Sequence, residues 1–146
     1  CAKCYDDDGI LKRCAKHKIP VTEGEKNAPA VLHAKYGAWL AKEHYGIKNP
    51  EILSAIACHT TGKPKMETLD KILYVADFIE VHRDKADHLP ELRKLAFEDL
   101  DEALYQILKG TLNYLKRKGS PIDPMTKETF EYYHSLRSLS DRKELV

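Results

Sequence analysis

No stretch of this chain approaches the roughly 20 consecutive apolar residues that a membrane-spanning helix requires, and no leader-like segment opens it. A soluble, cytoplasmic protein with no membrane partner is expected. An excess of charge of either sign is missing as well: 24 Lys and Arg stand against 23 Asp and Glu, a formal net charge of +1. Such a chain has no global field to draw it onto nucleic acid, so any anion binding must be local. Cysteine is sparse and irregularly spaced, at positions 1, 4, 14 and 58, which excludes a disulfide scaffold and leaves reduced thiols. Strand patterning is nearly absent, because apolar residues recur at intervals of three and four rather than two. Repeats, low-complexity segments and a second domain are missing too. What remains is an all-α fold in one domain, since 146 residues suffice for an ordinary core.

The chain also lacks an initiating Met. It opens on Cys1, and the expectation is a fragment whose upstream residues have been removed. A lipoprotein-like mature start is the minor alternative, but that would continue into a polar linker, not a patterned segment.

Helix signals then follow one another. Asp6, Asp7 and Asp8 suit the first turn of a short helix carrying Ile10, Leu11 and Cys14, with a loop from Pro20 to about Asn27. A second helix runs from Pro29 to Tyr45 and stops at Gly46. Asn49 and Pro50 open a third, through Ile52, Ile56 and His59 to Gly62. The spacing predicts a fourth helix from Met66 to Glu80, with Leu69, Leu73 and Asp77 on one stripe. Pro90 opens a long helical region through Leu100, Leu104, Ile107, Leu108 and Leu115 to Gly119. After the two-proline loop 120–124, Thr126 is expected to cap a last helix carrying Phe130, Tyr133 and Leu136.

Asp77 is the most informative residue. In line with Leu69 and Leu73 it is expected to face the core, where an unpaired charge is very costly. A buried salt bridge and metal coordination both answer that need, and the spacing leaves both open. His59 shares a stripe with Ile52 and Ile56 beside the hydroxyls of Thr60 and Thr61, and His33 shares one with Gly37 and Leu40. A single histidine on an apolar face is usually a hydrogen-bonded core residue. Three inward ionisable groups on three successive helices suit iron, manganese or zinc, which activate water and neutralise phosphate oxygens. His17, His44, His82, His88 and His134 read as surface or packing residues. Arg83, six residues past Asp77, belongs either to a solvated charged helix end with Glu80 and Asp84 or to the mouth of that site, where its fork could hold phosphate. Cys1, Cys4, Cys14 and His17 have the pair spacing of a zinc knuckle, but lack its Gly-rich turns.

Four segments carry a family resemblance: Leu32-His33-Ala34-x-x-Gly37-Ala38; Ile56-x-x-His59-Thr60-Thr61-Gly62; the run from Asp70 to Glu80 with Arg83; and Gly119-x-Pro121-Ile122-x-Pro124-x-Thr126. In order and spacing they resemble the YqeK-type family of the HD superfamily, described as symmetrical diadenosine tetraphosphate hydrolases. The resemblance spans nearly all of residues 1–137. It implies an all-α HD-domain helical bundle and a metal-dependent phosphohydrolase. By the resemblance, Asp77 is a ligand of the catalytic metal, with iron expected and manganese or zinc as alternatives. His33, His59 and Thr60 would line the phosphate side of the nucleotide. Arg83 and the loop Ser120, Pro121, Ile122, Asp123, Pro124 and Met125 would contact the rest of the ADP moiety. Metal-activated water would attack a phosphorus of the tetraphosphate bridge and give two ADP, with the general base left open. A homodimer is a further expectation.

Family members also carry an earlier His and a His-Asp doublet, and this sequence contains no such doublet. Residues 1–146 are therefore expected to be the C-terminal three quarters of a single HD-type domain lacking its first helices, frayed from about residue 138, and inactive alone. Two other readings stand beside the hydrolase: a nucleotide-binding HD domain without turnover, and a zinc-knuckle interaction module.

Overall fold

Several helices start where a side chain can satisfy the orphan N–H groups of a first turn. In the computed structural model, which describes residues 2–84, 86 and 88–143 (140–143 by backbone alone), Asp6 caps α1 (Asp7–Lys16) by accepting from the Gly9 N–H at 2.8 Å. Thr22 and Glu25 form a reciprocal capping box on α2 (Glu23–Asn27), a short helix within the stretch expected to be a loop. The signal was there: Thr-x-x-Glu is the capping-box pattern. After a 3-10 turn at Pro29–Val31 comes α3 (Leu32–Glu43), then α4 (Pro50–Cys58) with Asn49 as its cap. The chain continues through α5 (Thr68–Phe78), α6 (Leu89–Glu98), α7 (Leu100–Lys118) and α8 (Pro124–Lys143). No strand occurs among the described residues, as expected for an all-α fold.

Three local expectations change. The long helical region after Pro90 breaks at Asp99, whose extended backbone ends α6 and whose carboxylate caps α7 through the Glu102 N–H at 2.9 Å. The last helix begins two residues before Thr126, because Asp123 accepts from the Met125 N–H (2.9 Å) and fills the capping role, while Thr126 is buried. That helix extends to Lys143, past the point where fraying was expected.

Packing follows the chain: α1 lies on α3, α3 on α4, α4 on α5, and α5 on α7, which also carries α6 and α8. The larger core gathers Met66, Tyr74, Val75, Leu104, Ile107, Leu108 and Tyr133 around α7, and a smaller one joins Ile10 and Cys14 of α1 to Leu32 and Tyr36 of α3. Gly62, at φ +69°, lets the turn after α4 pass so close to α8 that an added Cβ would sit 2.6 Å from Thr129 Cγ2. Among the described residues no helix is long and apolar enough to cross a membrane.

The buried stripe of α5 is not the expected one. Tyr74 and Val75 are buried, whereas Leu69 is 38% exposed and Asp77 lies at the edge of the core. Both stripes have helical periodicity, and the position of α7 selects between them. The acid of α5 that does enter the core is Asp70, 1% exposed, which accepts from Ser54 Oγ (2.9 Å) and the Glu67 N–H (2.9 Å) and pairs with Lys63 Nζ (2.8 Å). A buried charge needs such saturation.

Candidate active site

His33 stands in the first turn of α3, and its Nδ1 donates to the Ala30 carbonyl at 2.6 Å. His59 directly follows α4, and its Nδ1 donates to the Ile56 carbonyl at 2.7 Å. In each case a backbone oxygen three residues upstream fixes the ring. A carbonyl can only accept, so Nδ1 carries the proton in both rings and each Nε2 is left with its lone pair. The two Nε2 atoms face each other at 3.1 Å, with rings edge to face, and Thr60 Oγ1 lies 3.1 Å from His33 Nε2. Two lone pairs at that distance repel, so the pair favours a shared proton or an electrophile between or beside the rings. Burial holds the His33 imidazole below the usual histidine range; nearby His59 and Lys3 act in the same direction, and the Ala30 carbonyl and Asp77 oppose it.

Asp77, in the last turn of α5, faces the same cleft. Its Oδ1 accepts from Lys3 Nζ at 2.8 Å, and Arg83 Nη2 lies 3.8 Å from Oδ2 while donating to the Asp77 carbonyl at 3.2 Å. Burial pushes the carboxyl up, but the Lys3 hydrogen bond and charge, with His59 and Arg83 behind them, outweigh it and hold Asp77 below the usual carboxylate range. The Arg83 guanidinium lies over the Phe78 ring at 5.0 Å, and among the described residues its buried Nε has no hydrogen-bond partner.

The structure thus brings His33, His59, Thr60, Asp77 and Arg83 to one cleft of about 1530 Å³, with Lys3 and Tyr74 beside them and α7 as its far wall. It does not bring the loop 120–125 there. Asp123, Pro124 and Met125 line a second cavity of about 410 Å³ with Gly24, Ser54, Thr61, Gly62 and Lys63, while Ser120, Pro121 and Ile122 line neither. The turn after α4 divides the two spaces, His59 and Thr60 on one and Thr61 and Gly62 on the other. Sequence reasoning missed Lys3, whose approach to Asp77 spans 74 positions and leaves no local signal.

Among the described residues no three His, Cys, Asp or Glu side chains come together in a group that could hold an ion. The knuckle candidates fare no better: Cys4 is exposed, Cys14 is buried in the smaller core, and His17 stacks on Trp39 with ring centres 3.9 Å apart. Cys1 lies outside the described residues.

No family model matches the chain. Curated relatives do. The chain is 40% identical over 131 residues to a symmetrical bis(5'-nucleosyl)-tetraphosphatase of Bacillus subtilis (strain 168), spanning 90% of this chain and 69% of that protein. It is 32% identical over 132 residues to the protein of the same name from Staphylococcus aureus (strain NCTC 8325 / PS 47), with 89% and 68% spanned. Among solved structures, a predicted HD superfamily hydrolase involved in NAD metabolism from Clostridium acetobutylicum superposes with a TM-score of 0.85 at 36% identity, over 92% of this chain and 71% of that one.

Proposed function

Because the chain belongs to the symmetrical bis(5'-nucleosyl)-tetraphosphatase family of HD superfamily hydrolases, we propose that its cleft hydrolyses diadenosine tetraphosphate to two ADP. The observation that supports this best is the facing pair of imidazoles, His33 and His59, set beside Thr60, Asp77 and Arg83 in one cleft. Hydrolysis to equal halves requires water to form a bond to one of the two inner phosphorus atoms. The bond from that phosphorus to the central bridging oxygen breaks, and its electron pair leaves with the second ADP. Charge accumulates on phosphate oxygens in such a reaction, and fixed donors stabilise it most where water is excluded.

The chain's own groups supply those donors. The Thr60 hydroxyl and the Arg83 fork would contact phosphate oxygens, with His33 and His59 lining the same side of the phosphates. Beyond Thr60, the nucleoside end would pass Thr61 and Gly62 toward Asp123, Pro124 and Met125, which narrows the binding role expected for the whole loop from Ser120. Asp77 would hold a divalent cation, iron first and manganese or zinc as alternatives, whose chemistry is to polarise water and phosphate.

The test is product analysis. Diadenosine tetraphosphate incubated with the full-length protein should give two ADP by chromatography, and reaction in ¹⁸O-water should label one of the two. Formation of ATP and AMP would overturn the symmetrical reading. Binding of ADP without turnover would favour the second reading, a nucleotide-binding domain, for which the absence of a three-donor group among the described residues speaks.

A further inference from the structure

Arg93 lines neither cavity, yet it holds the segment from which the cleft arginine projects. From α6 its Nε donates to the Ile79 carbonyl at 3.0 Å, and its Nη2 donates to the carbonyls of Glu80 (2.8 Å) and Arg83 (3.0 Å). These oxygens fall at and just past the end of α5, where the helix itself offers no donors. The turn they belong to is closed by the Arg83 N–H on the Glu80 carbonyl (3.1 Å), and the Glu80 side chain accepts from the His82 N–H at 2.9 Å. One guanidinium therefore bridges both limbs of a tight turn, and the turn sends Arg83 back over Phe78 and against Asp77. Among the described residues the buried Nε of Arg83 has no hydrogen-bond partner and its Nη2 alone reaches Asp77, so the direction of the side chain depends also on where the turn places its backbone.

We propose that Arg93 is a positioning residue: by clamping the carbonyls of Ile79, Glu80 and Arg83 it sets the direction in which the Arg83 guanidinium enters the cleft. This rests on the reading of Arg83 as a phosphate contact. The clamp needs arginine. Three acceptors are met from a planar, rigid fork, whereas a lysine ammonium on a flexible stem is a point donor and cannot bridge both limbs of the turn in one geometry.

The experiment is a double-mutant cycle read by ADP dissociation constants at fixed salt and metal, using the full-length protein, Arg83→Ala, Arg93→Lys and the double variant, with thermal unfolding as the check on folding. Arg83→Ala should weaken ADP about 10- to 100-fold, the range of a charge-assisted phosphate contact. Arg93→Lys should weaken it about 5- to 10-fold in the parent but less than about 2-fold when Arg83 is already Ala, because its effect passes through that side chain. Equal losses in both backgrounds would show a general structural role and overturn the proposal. So would native affinity in Arg93→Lys while Arg83→Ala is weakened, or a failure of Arg93→Lys to fold. If Arg83→Ala binds ADP as the parent does, the phosphate role of Arg83 falls, and the positioning role with it.

Discussion

The two ends of α5 each carry an aspartate bonded to a lysine, and the two pairs do different work. At the first turn, Asp70 is 1% exposed and spends its oxygens on three partners, the Lys63 ammonium, the Ser54 hydroxyl and the Glu67 N–H. At the last turn, the Asp77 side chain is 35% exposed, has one close partner in Lys3, and keeps Arg83 at 3.8 Å. Burial pushes both carboxyls up, and hydrogen bonds and positive neighbours pull both below the usual carboxylate range. The difference lies in saturation and access. A carboxylate with both oxygens engaged away from water is closed to a ligand, whereas one held by a half-exposed lysine can exchange that partner for a cation or a substrate group.

The largest break in this symmetry should come from Asp77→Ala. Hydrolysis of diadenosine tetraphosphate, followed as ADP release, should fall by at least about 10²-fold, the scale of losing a group that acts on transition-state charge. Thermal unfolding should barely move. Wild-type turnover in this variant would place the chemistry elsewhere in the cleft.

Asp70→Ala should do the reverse. Removing the carboxylate strands the half-buried Lys63 ammonium and leaves Ser54 without its acceptor, so denaturant unfolding should show a loss of about 2–4 kcal/mol while turnover per folded molecule is kept. The pH dependence sharpens the case. Because the folded carboxyl of Asp70 lies below its unfolded value, its contribution is full above the unfolded pKa, about 4, and drains away as pH falls through the folded pKa. The parent should thus lose stability below about pH 4 more steeply than Asp70→Ala does. Parallel acid limbs would remove Asp70 from that account.

Lys3→Ala should have the smallest effect, less than about 0.5 kcal/mol on stability, since exposed ion pairs contribute little. Its signature is instead electrostatic: the Asp77 carboxyl, followed by NMR titration, should move up once the Lys3 hydrogen bond is gone. A loss of stability as large as that of Asp70→Ala would mean that the N-terminal turn is anchored through this pair, and the contrast between the two ends would fail.

Most helices were legible because their starts are chemical events within a few residues: Asp6, Asn49 and Pro50 announce α1 and α4, and Gly46 and Gly119, both at positive φ, announce stops. The site was partly legible for the same reason. His33 and His59 each take their orientation from a carbonyl three residues away, so the local sequence carries that geometry. The α5 face was misread because periodicity alone fits two stripes, Leu69–Leu73–Asp77 and Asp70–Tyr74, and says nothing about which one α7 covers. The path of the loop 120–125 was not legible because it depends on Gly24 meeting Pro124, an approach so close that a Cβ on the glycine would lie 2.3 Å from Pro124 Cδ.

By itself the sequence determined the helical class, the caps and turns, and the residue types that can hold phosphate, since all of these follow from interactions between residues a few positions apart. Only the tertiary structure decided that two histidines 26 residues apart set their Nε2 atoms 3.1 Å from one another, that Lys3 meets Asp77 across 74 positions, and that Arg93 grips the turn carrying Arg83. Those contacts depend on how whole helices cross, which is fixed by the fit of buried surfaces across the domain, and no short stretch of sequence contains that fit.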